Sequence, residues 1–258
     1  MTLNVGIVGL GAIGNFLVER IESSKEFELS AVNDLIIENY QKTVENLNSP
    51  PPFLELENFP DDTDVFIECA SRGAVEPVVK EAFKRGKTVI VASIGGLIDN
   101  PGLWEIIENS SGKLILPSGA IGGMDILKAI DKSDIERISL TTRKNPKSLP
   151  EKYWGMTSET ELFRSNALEA IKEFPKNINV AAMLSLAGIG GERTEVRIVA
   201  DPNIEQNCHE IEIVSKVGNY TIKCSNLPFE RNPMSSRLAA LSIWAALKSL
   251  NEKVVYGL

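Results

Sequence analysis

The stretch Gly9-Leu10-Gly11-Ala12-Ile13-Gly14 constrains this chain more than any other, because it sets three glycines at G-x-G-x-x-G spacing between a short apolar run and a helix-like segment. Gly9 permits a tight strand-to-helix turn, Gly11 lets backbone approach a ligand with no Cβ in the way, and Gly14 lets the helix pack close on its strand. Glycine-rich turns are common, so the flanks decide the meaning. Leu3 to Val8 has the make-up of a buried parallel strand, and Ile13, Phe16, Leu17, Val18 and Ile21 recur at helical spacing. A helix start placed there offers free N–H groups to phosphates. A second apolar run, Phe27 to Val32, ends in Asn33-Asp34, 20 residues beyond Gly14. A carboxylate at that place accepts hydrogen bonds from ribose hydroxyls. The pattern predicts a dinucleotide held by Gly9, Gly11, Ala12, Ile13, Gly14 and Asp34; the bland alternative is a helix-packing turn followed by a surface Asp. Leu35 follows Asp34 with no Arg nearby to meet a 2′-phosphate, which favours NAD over NADP.

Strand-like and helix-like segments alternate through the first half, the grammar of a parallel sheet covered on both faces. Asp64 to Cys69, Lys87 to Ala92 and Lys113 to Leu116 read as strands, and Ala74 to Lys84 and Leu103 to Glu108 as helices. Asn48 to Pro52 carries three prolines and marks a surface connection. Ligands of open α/β sheets bind beyond the carboxyl ends of the strands, which brings Ala70 and Ser71 into the expected cofactor groove. Beyond Gly119 the pattern changes. Ile135 to Thr142, Thr194 to Val199, His209 to Val214 and Tyr220 to Cys224 alternate as strands of an antiparallel sheet do, with helix-like Asn166 to Glu173 and Val180 to Ala187 among them. A loop is expected over Lys144 to Lys152, and Pro233 to Ser236 as the cap of a last helix reaching Leu250. The fold class is therefore α/β: a Rossmann, doubly wound parallel domain over 1–118, then an α+β substrate and dimerisation domain over 119–232, with the segment 233–258 packing back on the first.

Bulk properties exclude several function classes. The net charge of -8 argues against nucleic acid or an anionic membrane surface as partner. Apolar stretches such as Val180 to Ala187 are far shorter than the roughly 20 residues a membrane helix needs. The N-terminus leads straight into strand-like sequence, so no signal peptide is expected. Three scattered cysteines, Cys69, Cys208 and Cys224, without C-x-x-C spacing fit a reducing cytoplasm. A single histidine leaves little room for a metal site, and none is expected.

That histidine, His209, opens a predicted strand and shares its face with Ile211 and Ile213, which points it either into a cleft or into the core. Removing a hydride from a C–OH or C–NH3⁺ centre also requires moving a proton, and an imidazole with an ordinary pKa of roughly 6.5 suits that work. Asn179, after Phe174-Pro175-Lys176, is either a helix cap or an amide contacting a nicotinamide group. Lys176 either holds a carboxylate or is solvated, and the same choice applies to Arg143 and Lys144. Cys69 as a nucleophile wants a paired histidine. Ser-His-Asp chemistry has no G-x-S-x-G elbow here.

Taken in order, Ser118-Gly119-Ala120-Ile121-Gly122-Gly123-Met124-Asp125, the segment Phe174 to Ala182, Ala200-Asp201-Pro202, Asn207-Cys208-His209-Glu210-Ile211, Asn226-Leu227-Pro228 and Asn232-Pro233 resemble the L-aspartate dehydrogenase family across essentially the whole chain. The resemblance implies that His209 is the active-site histidine, that Ala120 and Asn179 contact NAD, and that the enzyme is a homodimer using NAD or NADP. It further implies oxidation of L-aspartate to an imine, then oxaloacetate and ammonia, with the imine as an entry to quinolinate and NAD synthesis. Two substrate carboxylates then need partners, for which Ser118, Lys176 and the Gly119 to Gly123 backbone are candidates. The chain departs from the family in having Cys208 where Thr is usual and Asn145-Pro146 where Pro-Pro follows Arg-Lys. Rival readings are a homoserine dehydrogenase or dihydrodipicolinate reductase relative, the latter expected to carry paired histidines, and a non-catalytic NAD sensor.

Overall fold

The computed structural model describes residues 2–98, 100–174, 179–230 and 232–256, which fall into two compact units: Met1–Pro117 with Ile243–Lys253, and Ser118–Ser242 with Val254–Leu258.

In the first unit, strands β1 (Leu3–Val8), β2 (Phe27–Asn33), β3 (Val65–Glu68), β4 (Thr88–Val91) and β5 (Lys113–Ile115) alternate with helices α1 (Ala12–Glu22), α2 (Ile37–Val44), α3 (Val75–Lys84) and α4 (Pro101–Glu108). The strands form one parallel sheet in the order β2-β1-β3-β4-β5. Their apolar runs are buried on both faces, as parallel strands under helices must be: Val5, Ile7, Val65, Ile67 and Ile90 pack with Leu17, Val18 and Ile21 of α1. The strand order reverses direction between β1 and β3. In doubly wound sheets such a switch point opens a crevice at the carboxyl ends of the two strands, here Val8 and Glu68.

The second unit is built on a five-stranded sheet of β6 (Ile135–Lys144), β7 (Thr160–Asn166), β8 (Thr194–Ala200), β9 (Asn207–Ser215) and β10 (Gly218–Asn226), in the order β10-β9-β6-β8-β7. Helix α5 (Met124–Ala129) precedes it, α6 (Ala167–Glu173) and α7 (Asn179–Ala187) lie between β7 and β8, and both of the latter contact β8. A small ribbon, β11 (Pro228–Phe229) with β12 (Asn232–Ser236), leads into helix α8 (Arg237–Lys248). Ile243 and Leu247 of α8 join the buried core of the first unit.

Four sequence expectations need correction. The sheet is mixed, because β6 and β8 run parallel; alternation reports one buried face and is blind to strand direction. Lys144 lies in β6 and is buried; the loop begins after it, with Asn145 accepting from the Lys147 N–H to start a short turn. Pro233 to Ser236 belongs to β12, so α8 begins only at Arg237. Strand β7 and helix α2, neither anticipated, carry few buried side chains and hence weak periodicity.

Candidate active site

The glycine turn lies at the switch point. Gly9 has φ +104, and a Cβ there would come within 2.5 Å of the Ala70 nitrogen; a Cβ on Gly14 would sit 1.9 Å from the Gly9 carbonyl oxygen. Both positions are therefore demanded by the fold itself. Gly11 differs, with φ -70 and nothing within 4 Å of a Cβ. Backbone that has no internal reason to be glycine, facing open space at the start of α1, fits the close approach of a pyrophosphate.

The peptide at Leu10 is held at both ends. Its N–H donates to Asp34 Oδ2 at 2.6 Å, and its carbonyl accepts from Asn15 Nδ2 at 2.8 Å. The other Asp34 oxygen accepts from the Ile36 N–H and from Asn39 Nδ2, at 2.8 and 3.1 Å. Thr43 Oγ1 contacts the Asn15 carboxamide oxygen and the Asn39 carbonyl, tying α2 to the turn. A carboxylate has about four acceptor positions, so three donors leave room for one ribose hydroxyl. Ala12 and Ile13 form the first turn of α1, half-buried. Ala70 and Ser71 are exposed just beyond β3.

Sequence reasoning missed the residue that holds those loops. Glu68, 0% exposed at the end of β3, accepts from the Ala70 and Ser71 N–H groups and from Ser93 Oγ with one oxygen, and from the Ser93 N–H with the other, all within 3.0 Å. Burial pushes its carboxyl pKa up while these bonds pull it down. One carboxyl side chain thus joins the carboxyl ends of β3 and β4. The clue in the sequence was a carboxylate closing the otherwise apolar run Val65-Phe66-Ile67. Cys69 donates to the Gly9 carbonyl at 3.1 Å, and burial, followed by the charges of Glu68 and Asp34, holds its thiol well above the usual range. A thiol in that setting is an inert packing group.

In the second unit, the pairing of β6, β9 and β10 arranges side chains in rows across one sheet face. Ile138, Ile213 and Tyr220 form one row, Leu140, Ile211 and Ile222 the next, then Thr142, His209 and Cys224. The face thus passes from apolar to polar along the strands. His209 is 3% exposed, and its Nδ1 lies 3.0 Å from Thr142 Oγ1. Burial, and secondarily the Lys144 charge, push its pKa down to about 3. The imidazole is therefore neutral at ordinary pH. Burial alone takes Lys144 down to about 8, which leaves it a cation near neutrality.

Other expected site residues belong to the same unit. Ala120 is buried, and its carbonyl accepts from Asn226 Nδ2 at 2.7 Å. Ser118 is half-buried. The Gly119 N–H already donates to Ser242 Oγ, and the Ile121 N–H to the Ser118 carbonyl, so neither is free to bind an anion as the sequence reading expected. Asn179 is the first residue of α7 and is exposed. Lys176 lies outside the described residues. Among the described residues no cluster of His, Cys, Asp and Glu could hold a metal, and no helix is long and apolar enough to cross a membrane.

Comparison with known proteins bears on both units. Residues 9–113 match the family model described as homoserine dehydrogenase, NAD binding domain, and residues 125–250 the model described as aspartate dehydrogenase, C-terminal. The chain is similar to L-aspartate dehydrogenase of Methanosarcina mazei, at 37% identity over 99% of both chains. It is similar to that of Bradyrhizobium diazoefficiens at 33% identity, covering 99% of this chain and 94% of the relative. The crystal structure of aspartate dehydrogenase from Thermotoga maritima superposes with a TM-score of 0.78 at 30% identity, covering 99% of this chain and all of that one. Full-length similarity at these levels shows that the chain belongs to the L-aspartate dehydrogenase family.

Proposed function

We propose that the protein catalyses the nicotinamide-dependent oxidative deamination of L-aspartate to iminoaspartate, which hydrolyses to oxaloacetate and ammonia. The observation that carries this reading is a neutral, buried imidazole at the polar end of a sheet face, in a chain whose other unit is built around a dinucleotide turn. The residues proposed to hold the cofactor are Gly9, Gly11, Ala12, Ile13, Gly14, Asp34, Ala70 and Ser71, joined by Ala120 and Asn179 through family resemblance. When bound, the cofactor supplies the hydride acceptor.

The chain's own residues do the rest. Asp34 keeps acceptor capacity for an adenosine ribose hydroxyl, and its fixed negative charge opposes a 2′-phosphate, which supports NAD as the preferred form. Thr142 engages His209 Nδ1 and leaves Nε2 to exchange protons with the substrate. A neutral imidazole has a lone pair for a proton of the ammonium group, and the substrate's carboxylates, entering beside it, raise its basicity from the low value of the empty site, so that the freed nitrogen lone pair assists loss of hydride from Cα. Once His209 has passed that proton to solvent, water attacks the iminium carbon; His209 takes the water's proton and returns it to the nitrogen, which leaves as ammonia while the carbonyl forms. Ser118 and Lys176 remain candidates for the substrate carboxylates. We place the enzyme in the cytoplasm, consistent with three free cysteines, as a homodimer whose imine product can feed pyridine nucleotide synthesis.

The test is reduction of NAD and NADP by the purified chain with L-aspartate, L-homoserine and L-alanine. The expected result is turnover with aspartate alone and a higher kcat/KM with NAD. Turnover with homoserine in place of aspartate would transfer the protein to the rival activity.

A further inference from the structure

Along the carboxyl edge of the first unit's sheet, hydrogen-bonding character changes from strand to strand. Just past β2 stands Asp34, an acceptor that its own three donors leave unsaturated. At β1 the glycine turn opens α1, whose first N–H groups have no partner within the helix. Past β3 the character reverses again, and Glu68 is the cause. Its Oε1 accepts from the Ala70 N–H at 2.9 Å and from the Ser71 N–H at 3.0 Å. In a trans peptide the carbonyl points opposite to the N–H of the same unit, and the chain has no cis peptide bond. The carbonyls of Cys69 and Ala70 therefore point away from Glu68.

Among the described residues no N–H donates to either carbonyl. Ala70 is exposed, and its nitrogen lies 2.5 Å from where a Cβ on Gly9 would stand, so these two acceptors adjoin the glycine turn. Acceptor, donor, acceptor in the order β2, β1, β3 is the complement of hydroxyls, phosphates, hydroxyls, the sequence of groups along a dinucleotide. Peptides turned the other way past β3 would offer N–H groups and favour an anion instead.

We infer that Glu68 is a positioning residue for the second ribose of the dinucleotide: by drawing the Ala70 and Ser71 N–H groups inward it presents the Cys69 and Ala70 carbonyls to that ribose's hydroxyls. This rests on the dinucleotide reading of the glycine turn. Glu68 is 0% exposed and acts only through these peptides. Its other oxygen accepts from the Ser93 N–H at 2.9 Å, which braces the loop after β4 against the same side chain.

The experiment compares ADP, which ends at the pyrophosphate, with ADP-ribose, which adds only the second ribose. Both are titrated calorimetrically into wild type, Glu68→Leu and Glu68→Gln, with melting temperatures measured in parallel. Wild type is expected to bind ADP-ribose at least ~10-fold more tightly than ADP. Glu68→Leu keeps the bulk and offers no acceptor, so the preference should fall to within ~2-fold while ADP affinity stays within ~3-fold of wild type. Glu68→Gln has the weaker carboxamide acceptor and turns an N–H2 toward the Ser93 N–H, so the preference should shrink at least ~3-fold. That variant decides the matter if the leucine variant does not fold. A wild type that binds the two ligands equally, or folded variants that keep the full preference, would overturn the role of Glu68 and leave the dinucleotide reading intact. Variants that lose ADP in step with ADP-ribose would make Glu68 a general scaffold residue and overturn it too. A wild type that binds neither ligand would overturn the dinucleotide reading, and this inference with it.

Discussion

Two of the three fingerprint glycines answer to the fold and one answers to the ligand. A Cβ at Gly14 would meet the Gly9 carbonyl at 1.9 Å, whereas a Cβ at Gly11 would meet nothing. Gly14→Ala should therefore cost several kcal/mol or prevent folding, as backbone clashes of this kind do. Gly11→Ala should stay within ~1 kcal/mol of wild type and weaken NADH binding at least ~10-fold, measured by denaturation and fluorescence titration. Equal NADH affinity in Gly11→Ala would remove the pyrophosphate from that turn. The sequence motif pointed to all three glycines alike, since spacing cannot tell a residue excluded by neighbouring backbone from one excluded by a ligand. Glu68 stood out in the sequence as a carboxylate closing an apolar run, but its role did not, because it accepts four hydrogen bonds from loops that are distant in sequence or irregular.

At the level of elements, strands β6 and β9 make the polar end of their sheet face sensitive to pH. His209 has a folded pKa of about 3 against an ordinary value near 6.5, so the unfolded chain takes up this proton first. The stability that depends on the neutral ring is full above pH ~6.5 and is lost as pH falls toward 3. Lys144, lowered to about 8, loses its share between pH ~10.5 and 8 and is flat below, so the acid window belongs to the histidine. Between pH 7 and pH 4, chemical denaturation should show wild type losing on the order of 3 kcal/mol more than His209→Gln. Parallel losses in the two proteins would mean that His209 titrates normally. The alternation His209, Ile211, Ile213 disclosed the face on which this ring lies, but not whether that face was wet or dry. The answer depended on cross-strand register, which brings Thr142, Lys144 and Asn207 beside the histidine and which no local pattern encodes.

Across the whole molecule, the first unit was largely legible because its β-α steps, that through α2 excepted, repeat a strong local signal: an apolar run, a turn and an amphipathic helix. The second was legible as strands and helices but not as a sheet, since the β6–β8 pairing is parallel and joins segments separated by two helices and another strand. Family resemblance supplied what periodicity could not, the link between a nucleotide-binding turn and the distant Asn-Cys-His segment. His209 is therefore the residue on which the proposed chemistry turns. The most direct measurement is the kcat of His209→Ala with L-aspartate and NAD beside that of wild type, with NADH affinity measured on both. The predicted result is a loss of roughly 10²- to 10⁴-fold in kcat, the usual worth of a general acid–base group, with NADH affinity unchanged. A variant that turns over aspartate at close to the wild-type rate would contradict the proposal that His209 moves the proton.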